Sequence, residues 1–134
     1  MTLMDELPIQ TGDDVVRVRQ RVRVVAADRG LSLVDQTKLV TAASELARNA
    51  LVHGGGGIAQ VEGITSANGR PGVRVTFADT GPGIADLEQA LTDGWTTGGG
   101  LGLGLSGARR LVDEFDLTSE PGAGTRVVVS KWRR

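Results

Sequence analysis

Apolar positions along the chain repeat with two different periods, and the changes of period mark out its elements. Residues 7–11 read as a short first strand. Between Gly12 and Arg29 the pattern is ambiguous, because valine and arginine alternate locally as in a half-buried strand. Val15, Val18, Val22, Val25 and Ala26 nevertheless fall on one helical stripe, and the length favours a helix. Gly12, Asp13 and Asp14 suit its start and Gly30 its stop. Arg17, Arg19, Arg21 and Arg23 fall outside the stripe, on a solvated flank or on a surface that docks a partner.

Residues 35–53 give a clearer helix. Leu39, Ala42, Ala43, Leu46, Ala47 and Ala50 share one face, Ser32 or Asp35 can cap the start, and Gly54 to Gly57 end it. Residues 58–65 and 73–78 alternate as the strands of a hairpin that turns through 67–72. Residues 86–91 suggest a short helix, and 103–114 a longer one. Residues 115–119 and 126–132 form a second hairpin across 120–124. No repeat or linker interrupts this order, so residues 1–134 read as a single domain. The expected fold is an α+β two-layer sandwich, with helices on one face of a mixed, mostly antiparallel sheet.

Composition narrows the chemistry. The 134 residues are enough for one core without metal or disulfide staples, and the absence of cysteine removes thiolate chemistry. A net charge of −1 provides no field for nucleic acid or anionic membrane. Tyrosine is absent and aromatics make up 3% of the chain, so no base-stacking platform is expected. The first residues are acidic and lack a signal-peptide core, and no apolar run approaches the ~18 residues of a membrane span. The expectation is a cytoplasmic domain with neither nucleic acid nor membrane as partner.

Three segments carry candidate chemistry. Glu45, Asn49 and His53 stand at i, i+4 and i+8 and share one helix face, opposite the alanine-rich side. A carboxylate one turn from an amide oxygen suits a magnesium–nucleotide site, since Mg²⁺ needs only one or two protein oxygens beside water and phosphate. Asn49 could supply such an oxygen, and Glu45 could orient or deprotonate an attacking hydroxyl. An ordinary exposed helix face explains the same three residues. His53 is the chain's one histidine and reads as a helix-end or site-lining residue rather than a metal ligand.

Asp79 follows an apolar strand and precedes Gly81 and Gly83. An ionised aspartate only accepts hydrogen bonds, so it suits adenine's exocyclic amine and opposes guanine's O6. A plain Asp-x-Gly-Pro turn is the alternative. Finally, residues 94–107 contain seven glycines in fourteen positions, just before a helical pattern. Backbone N–H groups of such a run can close on phosphate. Within it, Gly102, Gly104 and Gly107 spell the dinucleotide-binding fingerprint, but no buried strand precedes them. There is no Walker loop and no H-R-D, and the lysines are only Lys38 and Lys131.

ELARNALVH at 45–53, DTGPGI at 79–84 and GGGLGLGL at 98–105 resemble, in order, the N, G1 and G2 boxes of the GHKL ATPase superfamily, which includes gyrase B and the histidine-kinase catalytic domains. SELARN at 44–49, DGWTTGGGLG at 93–102, LVDEF at 111–115 and KWR at 131–133 are similar to the anti-sigma-factor serine/threonine kinases, at the stressosome switch-kinase end of that family. The resemblance spans nearly the whole chain. HGGGG at 53–57 is closer to the broader superfamily.

The resemblance implies a Bergerat fold that binds ATP and Mg²⁺ and phosphorylates a serine on a STAS-domain antagonist protein. It implies Glu45 as catalytic base and Asn49 as magnesium ligand. It places Asp79 against adenine, with Gly81, Gly83 and Ile84 shaping that wall and Thr125 supporting it. Gly98, Gly99, Gly100, Leu101, Gly102, Leu103, Gly104 and Leu105 become lid and phosphate cradle. A PP2C-type phosphatase is the implied downstream partner. The alternatives are an anti-sigma kinase that sequesters a sigma factor, and a nucleotide-gated binding module without transfer.

Overall fold

The computed structural model describes residues 4–81 and 104–134. Among these, five strands and three helices follow one another as β1 (Met4–Ile9), α1 (Gly12–Asp28), α2 (Leu33–Val52), β2 (Gly57–Thr65), β3 (Pro71–Asp79), α3 (Gly104–Arg110), β4 (Glu114–Glu120) and β5 (Gly124–Trp132). The sheet order is β1-β2-β3-β5-β4. Each of its pairings is antiparallel, so the expected mixed sheet is antiparallel throughout the described residues. The expected short helix at 86–91 lies outside them.

The ambiguous valine–arginine segment is a helix. Val15, Val18, Val22 and Ala26 are buried, whereas Arg17, Arg19, Arg21 and Arg23 are exposed. Its start is fixed by a reciprocal cap: the Asp14 N–H donates to Thr11 Oγ1, and the Thr11 N–H donates to Asp14 Oδ2. Gln10 and Thr11 serve this cap, which is why β1 ends at Ile9 rather than at Thr11. Ser32 caps α2 by accepting from the Asp35 N–H, so that helix starts at Leu33.

The helix expected over 103–114 is shorter. It ends at Arg110, because the Asp113 N–H donates to the Ser130 carbonyl and Glu114 opens β4 beside β5.

Both long helices lie on one face of the sheet, over Val61, Val73, Val75, Phe77, Val127 and Val129. From α2, Leu39, Ala42, Ala43, Leu46, Ala47 and Ala50 enter this core, and α3 adds Leu105 and Ala108. Alanine on α2 lets helix and sheet approach closely. The helix-facing row at one end of the sheet runs Ile9, Gly57, Asp79, Thr125, Ser119 across all five strands. The next row is Leu7, Ala59, Phe77, Val127, Leu117. The core therefore turns polar at the end where β3 runs out, beside the C-terminus of α2.

At the opposite end, Lys131 is almost completely buried. Its Nζ lies 3.6 Å from Asp35 and 3.9 Å from Asp113.

Candidate functional site

Asp79 stands on the last residue of β3 and faces the helices. Its Oδ1 accepts from the Gly81 N–H at 2.9 Å and from the Thr125 N–H at 3.3 Å. These two donors fix the carboxylate plane and leave Oδ2 without a described donor. Thr125 is the register partner of Asp79 on β5, so both side chains line one concavity together with Ser119 and Gly124.

Two glycines allow this packing. A β-carbon on Gly54 would lie 2.6 Å from Asp79 Oδ2, and one on Gly81 would lie 2.6 Å from the Gly54 Cα. The exit of α2 is thereby pressed against the Asp-x-Gly turn. The glycines that stop α2 also bring its polar face to the end of β3.

On α2 itself, Glu45 is buried, Asn49 half-buried and His53 exposed, so the expected face runs from the interior to the surface. Glu45 is 7% exposed and makes no hydrogen bond or ion pair with a described residue. A carboxylate so placed can take a proton from a ligand. His53 closes the helix as its C-cap, donating its backbone N–H to the Asn49 carbonyl.

Among the described residues no group of three or more His, Cys, Asp or Glu could hold a metal. The Asn49 amide oxygen, one turn from Glu45, fits an ion that takes most of its ligands from phosphate and water.

The structure thus brings Asp79, Gly81 and Thr125 together and joins them through Gly54 to the helix carrying Glu45, Asn49 and His53. Gly104 opens α3 with a φ of 57°, and the Leu105 side chain is in the core, so only its backbone can face a phosphate. Gly83, Ile84, Gly98, Gly99, Gly100, Leu101, Gly102 and Leu103 lie outside the described residues. Sequence reasoning missed Gly54, Gly124 and Ser119 as parts of the site. Gly124 adopts a φ of 96°, and a β-carbon there would overlap the Asp79 backbone. The Gly-x-Gly-Thr run at 122–125 was the available signal.

Residues 34–134 match the family model for histidine kinase-, DNA gyrase B-, and HSP90-like ATPases. The serine/threonine-protein kinase RsbT of Bacillus subtilis is 44% identical over 126 residues, covering 94% of each chain. An anti-sigma F factor of Halalkalibacterium halodurans is 35% identical over 103 residues, 72% of this chain and 69% of its own. The crystal structure of the RsbU and RsbW domains of a Mycobacterium tuberculosis protein superposes with a TM-score of 0.66 at 24% identity, covering 100% of this chain and 33% of that one. That likeness shows the fold. The chain belongs to the histidine kinase-, DNA gyrase B-, and HSP90-like ATPase family and, within it, to the RsbT-like serine/threonine-protein kinases.

Proposed function

We propose that the site binds Mg-ATP and transfers its γ-phosphoryl group to a serine of a STAS-domain antagonist protein. The observation that carries the reading is the buried Glu45, which has no partner among the described residues, on the α2 face whose exit packs against Asp79. Asp79 Oδ2 and Thr125 receive the adenine amine. Asn49 contributes one oxygen to Mg²⁺, which when bound screens the phosphate charge. Glu45 takes the proton from the serine hydroxyl as its oxygen bonds to the γ-phosphorus and the bond to the β-γ bridging oxygen breaks, releasing ADP. Positioning supplies most of the catalysis in such transfers. Released from its phosphorylated substrates, the kinase would then bind a PP2C-type phosphatase.

A second reading is favoured by the 35% identity to an anti-sigma F factor: the same kinase could hold a sigma factor directly. Incubation with labelled ATP and candidate STAS proteins, followed by phosphosite mapping, tests the first reading. Pull-down against sigma factors tests the second. Nucleotide-dependent partner binding without any phosphosite would leave only a nucleotide-gated module. Asp79→Asn should weaken ATP binding about 10–100-fold, the value of a hydrogen bond to a charged group; equal affinity by calorimetry removes its role at the base.

A further inference from the structure

We propose that Ser119 fixes the Thr125 hydroxyl as a hydrogen-bond acceptor and so sets the polarity of the wall that reads the purine 6-position. The inference rests on the placement of adenine against Asp79 and Thr125 argued above.

Ser119 occupies the helix-facing row of β4, next to Thr125 in the register. Its hydroxyl donates to the Gly124 carbonyl at 3.1 Å and lies 3.0 Å from Thr125 Oγ1. A serine hydroxyl carries one proton. With that proton directed at Gly124, the contact to Thr125 is made by the threonine proton, donated to Ser119. Thr125 then presents only lone pairs to the concavity. The Asp79 carboxylate likewise only accepts. The wall is therefore built of acceptors, Asp79 Oδ2 and Thr125 Oγ1.

A 6-amino purine offers two N–H groups there. A 6-oxo purine offers at the same position a carbonyl oxygen, which such a wall repels and leaves unpaired, and carries its nearest N–H one atom away on N1. Without Ser119, the Thr125 hydroxyl is free to rotate and donate to that oxygen. Ser119 is thus a positioning residue: it acts through Thr125 and need not touch the nucleotide.

The test compares Mg-ATP with Mg-ITP, whose bases differ at the 6-position and in the proton on N1, by calorimetry on the full chain. Wild type should prefer ATP. Ser119→Ala should narrow the preference about tenfold, roughly the worth of one hydrogen bond, chiefly by improved ITP binding. Ser119→Thr keeps the hydroxyl and should keep the preference. A purely structural role would weaken both nucleotides equally, and that outcome overturns the proposal, as does an unchanged ratio in Ser119→Ala. Thr125→Val gives a second route should Ser119→Ala not fold. It deletes the acceptor and should weaken ATP with no gain for ITP; unchanged affinities overturn the proposal. If wild type binds neither nucleotide, the assignment of the base wall itself has failed. If wild type prefers ATP and Ser119→Ala keeps the full ratio, only the role of Ser119 has failed.

Discussion

Gly54 lies so close to Asp79 that a β-carbon on it would sit 2.6 Å from Asp79 Oδ2. The contact joins the exit of α2 to the end of β3, and the oxygen it touches is the one with no described donor. An added methyl must displace the carboxylate, the helix end, or both. Gly54→Ala should therefore weaken ATP binding at least tenfold while the domain stays folded, with a loss of about 1–3 kcal/mol from overpacking. Calorimetry with ATP and urea unfolding read the two effects separately. Full ATP affinity in a folded Gly54→Ala would show that this contact does not shape the site.

Glu45 is 7% exposed and no described group holds its carboxylate, which leaves it able to act as a base. Glu45→Gln keeps the volume and removes the basicity. Phosphate transfer should fall about 10²–10⁴-fold, the span of general-base catalysis. ATP affinity should stay within a few-fold of wild type. Transfer at the wild-type rate would remove Glu45 from the chemistry.

Most of the fold was legible in the sequence because apolar spacing decides which face of each element is buried. The stripe Val15, Val18, Val22 and Ala26 identified α1 as a helix despite its alternating arginines. Asp79 stood out by position and motif, Thr125 came only with the family resemblance, and the register then paired them. The boundaries were less readable. Leu111 and Val112 continue a helical pattern, but backbone pairing of Asp113 with Ser130 claims the chain for the sheet. Gly54 and Ser119 were hidden for a different reason. Each matters through a neighbour distant in sequence, Asp79 across 25 positions and Thr125 across a hairpin, and no local pattern encodes that contact.

The cap of α1 gives a pH dependence with a definite sign. The Asp14 carboxyl is held below the usual carboxylate range, foremost by the Gln10 N–H at 2.9 Å and also by Thr11 and Arg17, against an opposing effect of burial. Its folded value is thus lower than its unfolded one, near ~3.9. The stabilisation it provides is complete above the unfolded value and is lost as pH falls through the folded one. Urea unfolding between pH 7 and pH 3 should show wild type losing stability in acid. Asp14→Asn, less stable at pH 7, should lose less over the same range. Parallel curves for the two proteins would show that Asp14 contributes nothing to the acid limb.

Lys131 closes the other end of the sandwich, with its Nζ 3.6 Å from Asp35 on α2 and 3.9 Å from Asp113 before β4. The lysine side chain is 5% exposed, and the two carboxylates are 13% and 17% exposed. Removing the lysine leaves Asp35 without a described cation, whereas Asp113 keeps its ion pair with Arg134. A fully desolvated pair broken in this way costs roughly 3–5 kcal/mol. The separations here are long and both carboxylates keep some solvent, so Lys131→Met should cost about 2 kcal/mol. Replacing the two aspartates by asparagine in the same background should recover part of the loss, because Asp35 then no longer carries an uncompensated charge. ATP affinity should not change, since this cluster lies at the end of the sheet remote from Asp79. Thermal unfolding of the single and triple variants measures the first two effects, and calorimetry the third. A Lys131→Met protein as stable as wild type would mean that the buried lysine gains no more from its two carboxylates than it loses in leaving water.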